Sequence, residues 1–158
     1  MKRVAVFLLL CFLCFSVTAC NDPSPVAYPF EELKEGAARV ELINYDSGKT
    51  RRFDFDKMEV IEVLDAERKD DFFRDLSEVT MWNRPNPGER SGIGIRIVYD
   101  NGDFEVIMCN NTDHEIISYM ARFDSEGKLM KMIGSIEVKR EFIDLIDRYF
   151  TASADQTL

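Results

Sequence analysis

Ile93, Ile95, Ile97 and Tyr99 alternate with Gly94, Arg96 and Val98, and Asp100-Asn101-Gly102-Asp103 then separates them from a second apolar run, Phe104 to Cys109. Alternation with a period of two is the signature of a β-strand, and Asn-Gly suits the positive-φ pair of a type I′ turn. The segment is expected to form a hairpin pairing Tyr99 with Phe104, Ile97 with Val106 and Ile95 with Met108 on a core face. Arg96, Val98, Glu105, Ile107 and Cys109 fall on the other, more mixed face. A chain containing this hairpin is drawn toward an antiparallel sheet.

A second hairpin follows, with Ile116 to Phe123 and Leu129 to Ile133 flanking Asp124-Ser125-Glu126-Gly127-Lys128. A type I turn with Gly127 in the left-handed region and a G1 bulge sets Asp124 opposite Lys128 and Phe123 opposite Leu129. Asp124 and Glu126 are too few, and their turn too short, for an EF-hand calcium loop. A weaker hairpin joins Arg39–Tyr45 to Thr50–Phe55 through a turn at 46–49. Met58 to Leu64 reads either way: Val60, Ile61 and Val63 favour strand, while the charge spacing permits helix.

Asp65 is a candidate N-cap for a helix that turns Phe72, Phe73, Leu76 and Val79 to one side. Ser135 is the corresponding cap for a C-terminal helix with the stripe Val138, Phe142, Leu145, Ile146 and Tyr149. Trp82 to Gly92, rich in Pro, Asn and Gly, reads as a loop. The expected fold class is α+β: a single antiparallel β-sheet of about six to eight strands in meander hairpins, with two helices packed on one face. The layout is similar to small sheet-plus-helix modules such as the beta-lactamase inhibitor protein fold, and to uncharacterised small bacterial lipoproteins. This likeness is one of architecture and rests on no motif.

The amino terminus adds a different constraint. Lys2 and Arg3 precede Val4 to Phe15, twelve apolar residues. A helix that long falls short of the roughly 20 residues a bilayer core demands, and it matches the hydrophobic region of an export signal. It is followed by Val17-Thr18-Ala19-Cys20, which resembles the lipobox of bacterial lipoproteins. The resemblance implies cleavage after Ala19, a diacylglycerol on the Cys20 thiol and an acylated (for instance palmitoylated) new amino terminus. It implies residence on the extracytoplasmic face of the cell membrane, or on an outer membrane where the cell has two. An acidic residue directly after the cysteine resembles an inner-membrane retention signal, and Asn21 lacks that charge.

The expected organisation is a signal peptide over 1–19, lipidated Cys20 with an extended tether to residue 30, one domain over 31–150, and a flexible tail at 151–158. With 46% apolar and 31% charged residues in a chain of 158, the composition suits one folded domain. Loss of residues 1–19 leaves 18 basic against 29 acidic side chains, formally −11. So acidic a body is expected to be repelled by anionic headgroups and to bind no nucleic acid. Cys109 then remains without a second unmodified cysteine, which excludes an internal disulfide.

The sequence carries no GxGxxG, Walker A, GxSxG or HExxH motif. Asn110 to Glu115 contains the single histidine, His114, beside Asp113 and Glu115. An enzyme would use His114 as a base or metal ligand with these carboxylates or Cys109. The competing reading is a solvated turn between strands. Trp82 with Arg84 and Arg90 has the composition of a binding hot spot, though a Trp closing one end of the core accounts for it as well. No catalytic residue, cofactor or metal is assigned. The sequence is read as a non-enzymatic binding or accessory module of the cell envelope with an envelope protein partner, and an envelope hydrolase or metal-dependent enzyme built on His114 is the alternative. Cys20→Ala is expected to release the protein from membranes or to leave an unprocessed precursor. Metabolic labelling with a palmitate analogue checks this, and a fully processed, labelled variant would contradict it.

Overall fold

The computed structural model describes residues 24–26, 30–46, 52–79, 81–84, 91–111, 116–138 and 140–151. Eight strands form one antiparallel sheet: β1 (Ser24–Val26), β2 (Ala37–Asp46), β3 (Met58–Val63), β4 (Met81–Arg84), β5 (Ser91–Tyr99), β6 (Phe104–Asn111), β7 (Ile116–Phe123) and β8 (Leu129–Val138). Their order across the sheet is β1-β4-β8-β7-β6-β5-β2-β3. Three α-helices lie among the described residues: α1 (Phe30–Gly36), α2 (Lys69–Glu78) and α3 (Arg140–Tyr149). The α+β class and the single antiparallel sheet agree with the sequence reading.

The central hairpin forms in a different register from the one the Asn-Gly pair suggests. Val98 pairs with Phe104, Ile97 with Glu105 and Ile95 with Ile107. Gly102 N–H donates to the Tyr99 carbonyl at 2.9 Å and Tyr99 N–H to the Asp103 carbonyl at 2.8 Å, closing a three-residue loop. Gly102 takes a positive φ there, +85°. Because side chains alternate, this one-residue shift sends every β6 side chain to the opposite face from the one anticipated. Phe104, Val106 and Met108 therefore join Val98, while Ile107 joins Ile95.

The β7–β8 turn forms as anticipated. Phe123 pairs with Leu129, Asp124 N–H donates to the Lys128 carbonyl at 3.0 Å, and Gly127 has φ +78°. The Asp124 carboxylate accepts from the N–H groups of Glu126 and Lys128 at 3.1 and 2.8 Å, so it is spent on its own turn.

Four expectations are corrected. Of Thr50–Phe55, residues 50 and 51 lie outside the described residues and Arg52–Phe55 is not paired with β2; that place is taken by β3, which settles Met58–Val63 as strand. Ser135 and Val138 lie in β8, and α3 begins only at Arg140. Trp82 and Arg84 lie in a strand, because Met81–Arg84 pairs with both β1 and β8. Ser24–Val26, anticipated as spacer, is the edge strand of the sheet. α1 was not foreseen.

Buried side chains form two clusters. One unites Leu33 of α1, Phe72, Phe73 and Leu76 of α2, and Phe142, Leu145, Ile146 and Tyr149 of α3 with Val40, Leu42, Ile95, Ile97, Ile107 and Met120 from the strands. Asp65 does not cap α2 itself: its carboxylate accepts from Glu67 N–H at 3.0 Å and caps the 3-10 turn Ala66–Arg68, which leads into α2 at Lys69. α2 and α3 are joined by Asp75, which accepts from the Tyr149 hydroxyl and from Arg148, each at 2.8 Å. The second cluster contains no helix residue: Ile43, Tyr45, Phe53, Val98, Phe104, Val106, Met108, Ala121 and Phe123. Strand neighbours such as Leu42 and Ile43 thus enter different cores, and the central strands are buried on both sides rather than on one.

A Cβ at Gly127 would stand 2.6 Å from the Phe53 carbonyl, in a backbone region that L-residues avoid. Gly127→Ala is expected to destabilise the fold by about 2 kcal/mol, or roughly 4–8 °C in melting temperature. Thermal unfolding followed by circular dichroism checks this.

Candidate binding surface

The side of the sheet that carries the second cluster is crossed by a short strap, Arg52 to Lys57. Phe53 N–H donates to the Gly127 carbonyl at 2.8 Å, and the Arg52 guanidinium donates to the Glu126 carbonyl at 3.3 Å. Asp54 N–H donates to the Tyr45 hydroxyl at 2.9 Å. Asp54 then caps the 3-10 turn Phe55–Lys57 by accepting from Asp56 N–H at 3.2 Å. These bonds drive the Phe53 ring into the sheet. It stacks on Tyr45 with centroids 4.2 Å apart and meets Phe104 and Phe123 edge-on at 5.1 and 5.5 Å. Such geometries are the favoured ones for aromatic quadrupoles.

Phe55, two residues on, points back out and remains 39% exposed. Beneath it lies a buried ionic group. Glu41 and Arg96 are cross-strand partners on β2 and β5. The Arg96 Nε donates to one Glu41 oxygen at 2.5 Å, with its Nη2 also on that oxygen, while Arg39 Nε donates to the other at 2.6 Å. Arg96 lies 5.9 Å from the Phe55 ring centre and 5.6 Å from that of Phe104, within cation–π range. Burial works against ionisation of Glu41, but the hydrogen bonds from Arg96 and Arg39 outweigh it and hold the carboxyl below its ordinary range. A carboxylate paired on both oxygens is how a strand tolerates a charge between Val40 and Leu42.

The strap walls an open depression of about 390 Å³ lined by Arg52, Phe53, Asp54, Phe55, Asp56 and Glu126. Its floor is aromatic and its rim carries three carboxylates against one guanidinium. On the opposite side of the sheet Glu105 is buried, with Arg122 3.8 Å away and stacked 4.6 Å over the Tyr99 ring. Burial pushes the Tyr99 phenol well above its ordinary range, and the neighbouring Glu105 adds to this.

None of the singled-out candidate site residues that the structure describes lines this depression. Trp82 and Arg84 occupy β4, opposite Glu137 and Ser135 of β8. Arg90, Cys20, Asp113, His114 and Glu115 lie outside the described residues, and Cys109 is placed only by its backbone, opposite Ile93. Among the described residues, no group of three His, Cys, Asp or Glu side chains is arranged to hold a metal ion. No helix among them is long and apolar enough to cross a membrane. The chain matches no protein-family model, no curated protein and no solved structure.

Sequence reasoning missed the strap and the ionic group. The available signals were Glu41 and Arg96, an acid and a base each embedded in an apolar run, and Phe53 and Phe55 within a charged segment. Removing one partner of a buried pair leaves the other charge uncompensated. Glu41→Gln is expected to cost about 3 kcal/mol at pH 7. Because the Glu41 pKa is lowered by folding, its stabilisation is complete above the unfolded carboxyl value of about 4.3 and fades as the pH falls through the folded value. The gap between wild type and variant in urea titrations should accordingly narrow on acidification and be widest near neutrality.

Proposed function

We propose that this protein is a lipid-anchored extracytoplasmic module that binds a protein partner of the cell envelope through the strap surface, without catalysing a reaction. The anchoring half rests on the lipobox-like Val17-Thr18-Ala19-Cys20 behind its apolar run. The binding half rests on one observation: Phe55 is held two-fifths exposed over a rim of Arg52, Asp54, Asp56 and Glu126. An aromatic anchor surrounded by polar groups on a fixed backbone has the anatomy of an interface centre. The acidic rim favours a partner segment that brings an apolar side chain together with Lys or Arg.

The same reading gives the two sides of the sheet separate duties. The helices cover one side and complete the core there, leaving the strap side for recognition. Support comes from the division of buried residues, since all helix residues fall in one cluster and Phe53 in the other.

A photo-crosslinking amino acid at position 55 should capture one stoichiometric partner in intact cells. The same group at Glu78, exposed on α2, should capture none. Phe55→Ala should abolish co-purification of that partner while costing at most about 1 kcal/mol in stability. Equal adducts at 55 and 78, or no adduct at 55, would overturn the assignment of this surface. His114→Ala should leave partner capture unchanged.

A further inference from the structure

We propose that the sheet stands on its β1–β4 edge, with that edge against the bilayer headgroups and the β3 edge directed away from the membrane. The inference rests on the anchoring reading above and adds an orientation to it. Its basis is the length of chain available. β1 begins at Ser24, four residues after Cys20. Whatever its conformation, a chain reaches at most about 3.6 Å per residue, so the Ser24 Cα lies within roughly 14 Å of a lipidated Cys20.

That reach is small beside the body it holds. A compact domain of this length has a radius of gyration near 14 Å and hence a diameter of roughly 37 Å. β1 is the last strand on its side of the sheet, and β3 is the last on the other, seven inter-strand steps away. At about 4.8 Å per step this separation is roughly 33 Å. The tether therefore attaches at an extreme edge and is too short to let the body drift clear of the headgroup layer.

Charge then selects the posture. The far edge carries Glu59 and Glu62 on β3 with no basic residue in that strand, while the strap's Asp54 and Asp56 are balanced by Arg52 and Lys57. An anionic leaflet repels the β3 carboxylates within a Debye length of about 8 Å, which turns the β3 edge outward. The near edge holds Ser24, Pro25 and Val26 paired with Asn83, Trp82 and Met81, with no acidic residue among the six. Trp82 stands at the register position opposite Pro25, so its backbone lies within roughly 23 Å of Cys20.

Trp82 is the only tryptophan in the chain, which makes it a built-in reporter. The test uses the full-length processed protein in phosphatidylcholine vesicles containing phosphatidylglycerol and a headgroup-dansylated phosphatidylethanolamine. Energy transfer from Trp82 should be strong. A Gly-Ser spacer of about twelve residues inserted between Asp22 and Pro23, adding roughly 19 Å of mean reach, should lower it at least twofold. Moving the reporter to the exposed β3 position, as Trp82→Phe with Val60→Trp, should lower it at least twofold as well. The spacer variant keeps Trp82, so it remains informative if the double variant fails to fold. Protein that floats with the vesicles yet shows weak or spacer-insensitive transfer overturns the edge-on posture and leaves the anchor standing, as does equal transfer from positions 82 and 60. Protein that does not float overturns the anchoring reading and this orientation together.

Discussion

The pairing of β2 with β5 is the contact on which the other parts converge. It runs from Ala37 opposite Tyr99 to Asp46 opposite Ser91, the longest register in the sheet. One set of its side chains, Val40, Leu42, Ile95 and Ile97, belongs to the cluster that contains the buried helix residues. The alternate set contributes Ile43, Tyr45 and Val98 to the second core and brings Glu41 beside Arg96. A slip of one residue would exchange the two sets, placing Glu41 and Arg96 under the helices and Leu42 under the strap. The ion pair thus penalises the wrong register, since either charge without its partner is costly in a dry interior.

Burial on both sides of the central strands creates a second requirement. The buried helix residues enter one cluster, and among the described residues the segment outside the strands that enters the other is the strap, Arg52 to Lys57. A strap so short cannot bring an apolar face of its own, so it contributes one large ring. Phe53 occupies the middle of Tyr45, Phe104 and Phe123, and its placement is set by three polar contacts from Arg52, Phe53 and Asp54 to Glu126, Gly127 and Tyr45. The close approach of the Phe53 carbonyl to Gly127 explains why the β7–β8 turn needs glycine for space as well as for φ. Covering a sheet with a single ring leaves the flanks shallow, and the depression beside Phe55 is the consequence.

Much of the fold was legible in local patterns. The β7–β8 turn was readable to the residue because Asp124, Gly127 and Lys128 define one turn type. Phe72, Phe73 and Leu76 marked α2, and Phe142, Leu145, Ile146 and Tyr149 marked α3. Errors arose where two local signals competed and a distant contact decided. Asn101-Gly102 suits a two-residue turn, but the three-residue loop is the one that puts Phe104, Val106 and Met108 on the side of Phe53 and Ile107 on the side of the helix residues. Val138 continues the stripe of α3 in sequence, yet as the partner of Met81 it is needed in the sheet. Trp82 through Gly92 has loop composition throughout, and only the pairing of Met81–Arg84 with both β1 and β8 makes its first residues a strand. The strap surface was illegible because it depends on residues about seventy positions apart, as in the contact of Arg52 with Glu126.

An eight-stranded open sheet must also keep two edges from recruiting other chains, and here they differ in chemistry. β3 has Glu59 and Glu62 between Met58, Val60, Ile61 and Val63, and its ladder to β2 is broken by an irregularity at Leu42/Ile43. Carboxylates along an exposed strand and a local distortion both discourage edge-to-edge pairing. Glu62 is further engaged by the backbone N–H and hydroxyl of Thr151, at 2.9 and 3.1 Å, which brings the end of the helical layer against this edge. β1 uses neither device. It is three residues long and has Pro25 at its centre, which lacks the N–H that a further strand would need. An edge so short and partly without donors is suited to face a surface that offers no strand to pair with, whereas the charged edge is suited to water. The two edges are thus protected by different means, brevity and a missing donor at β1, charge and a distorted ladder at β3.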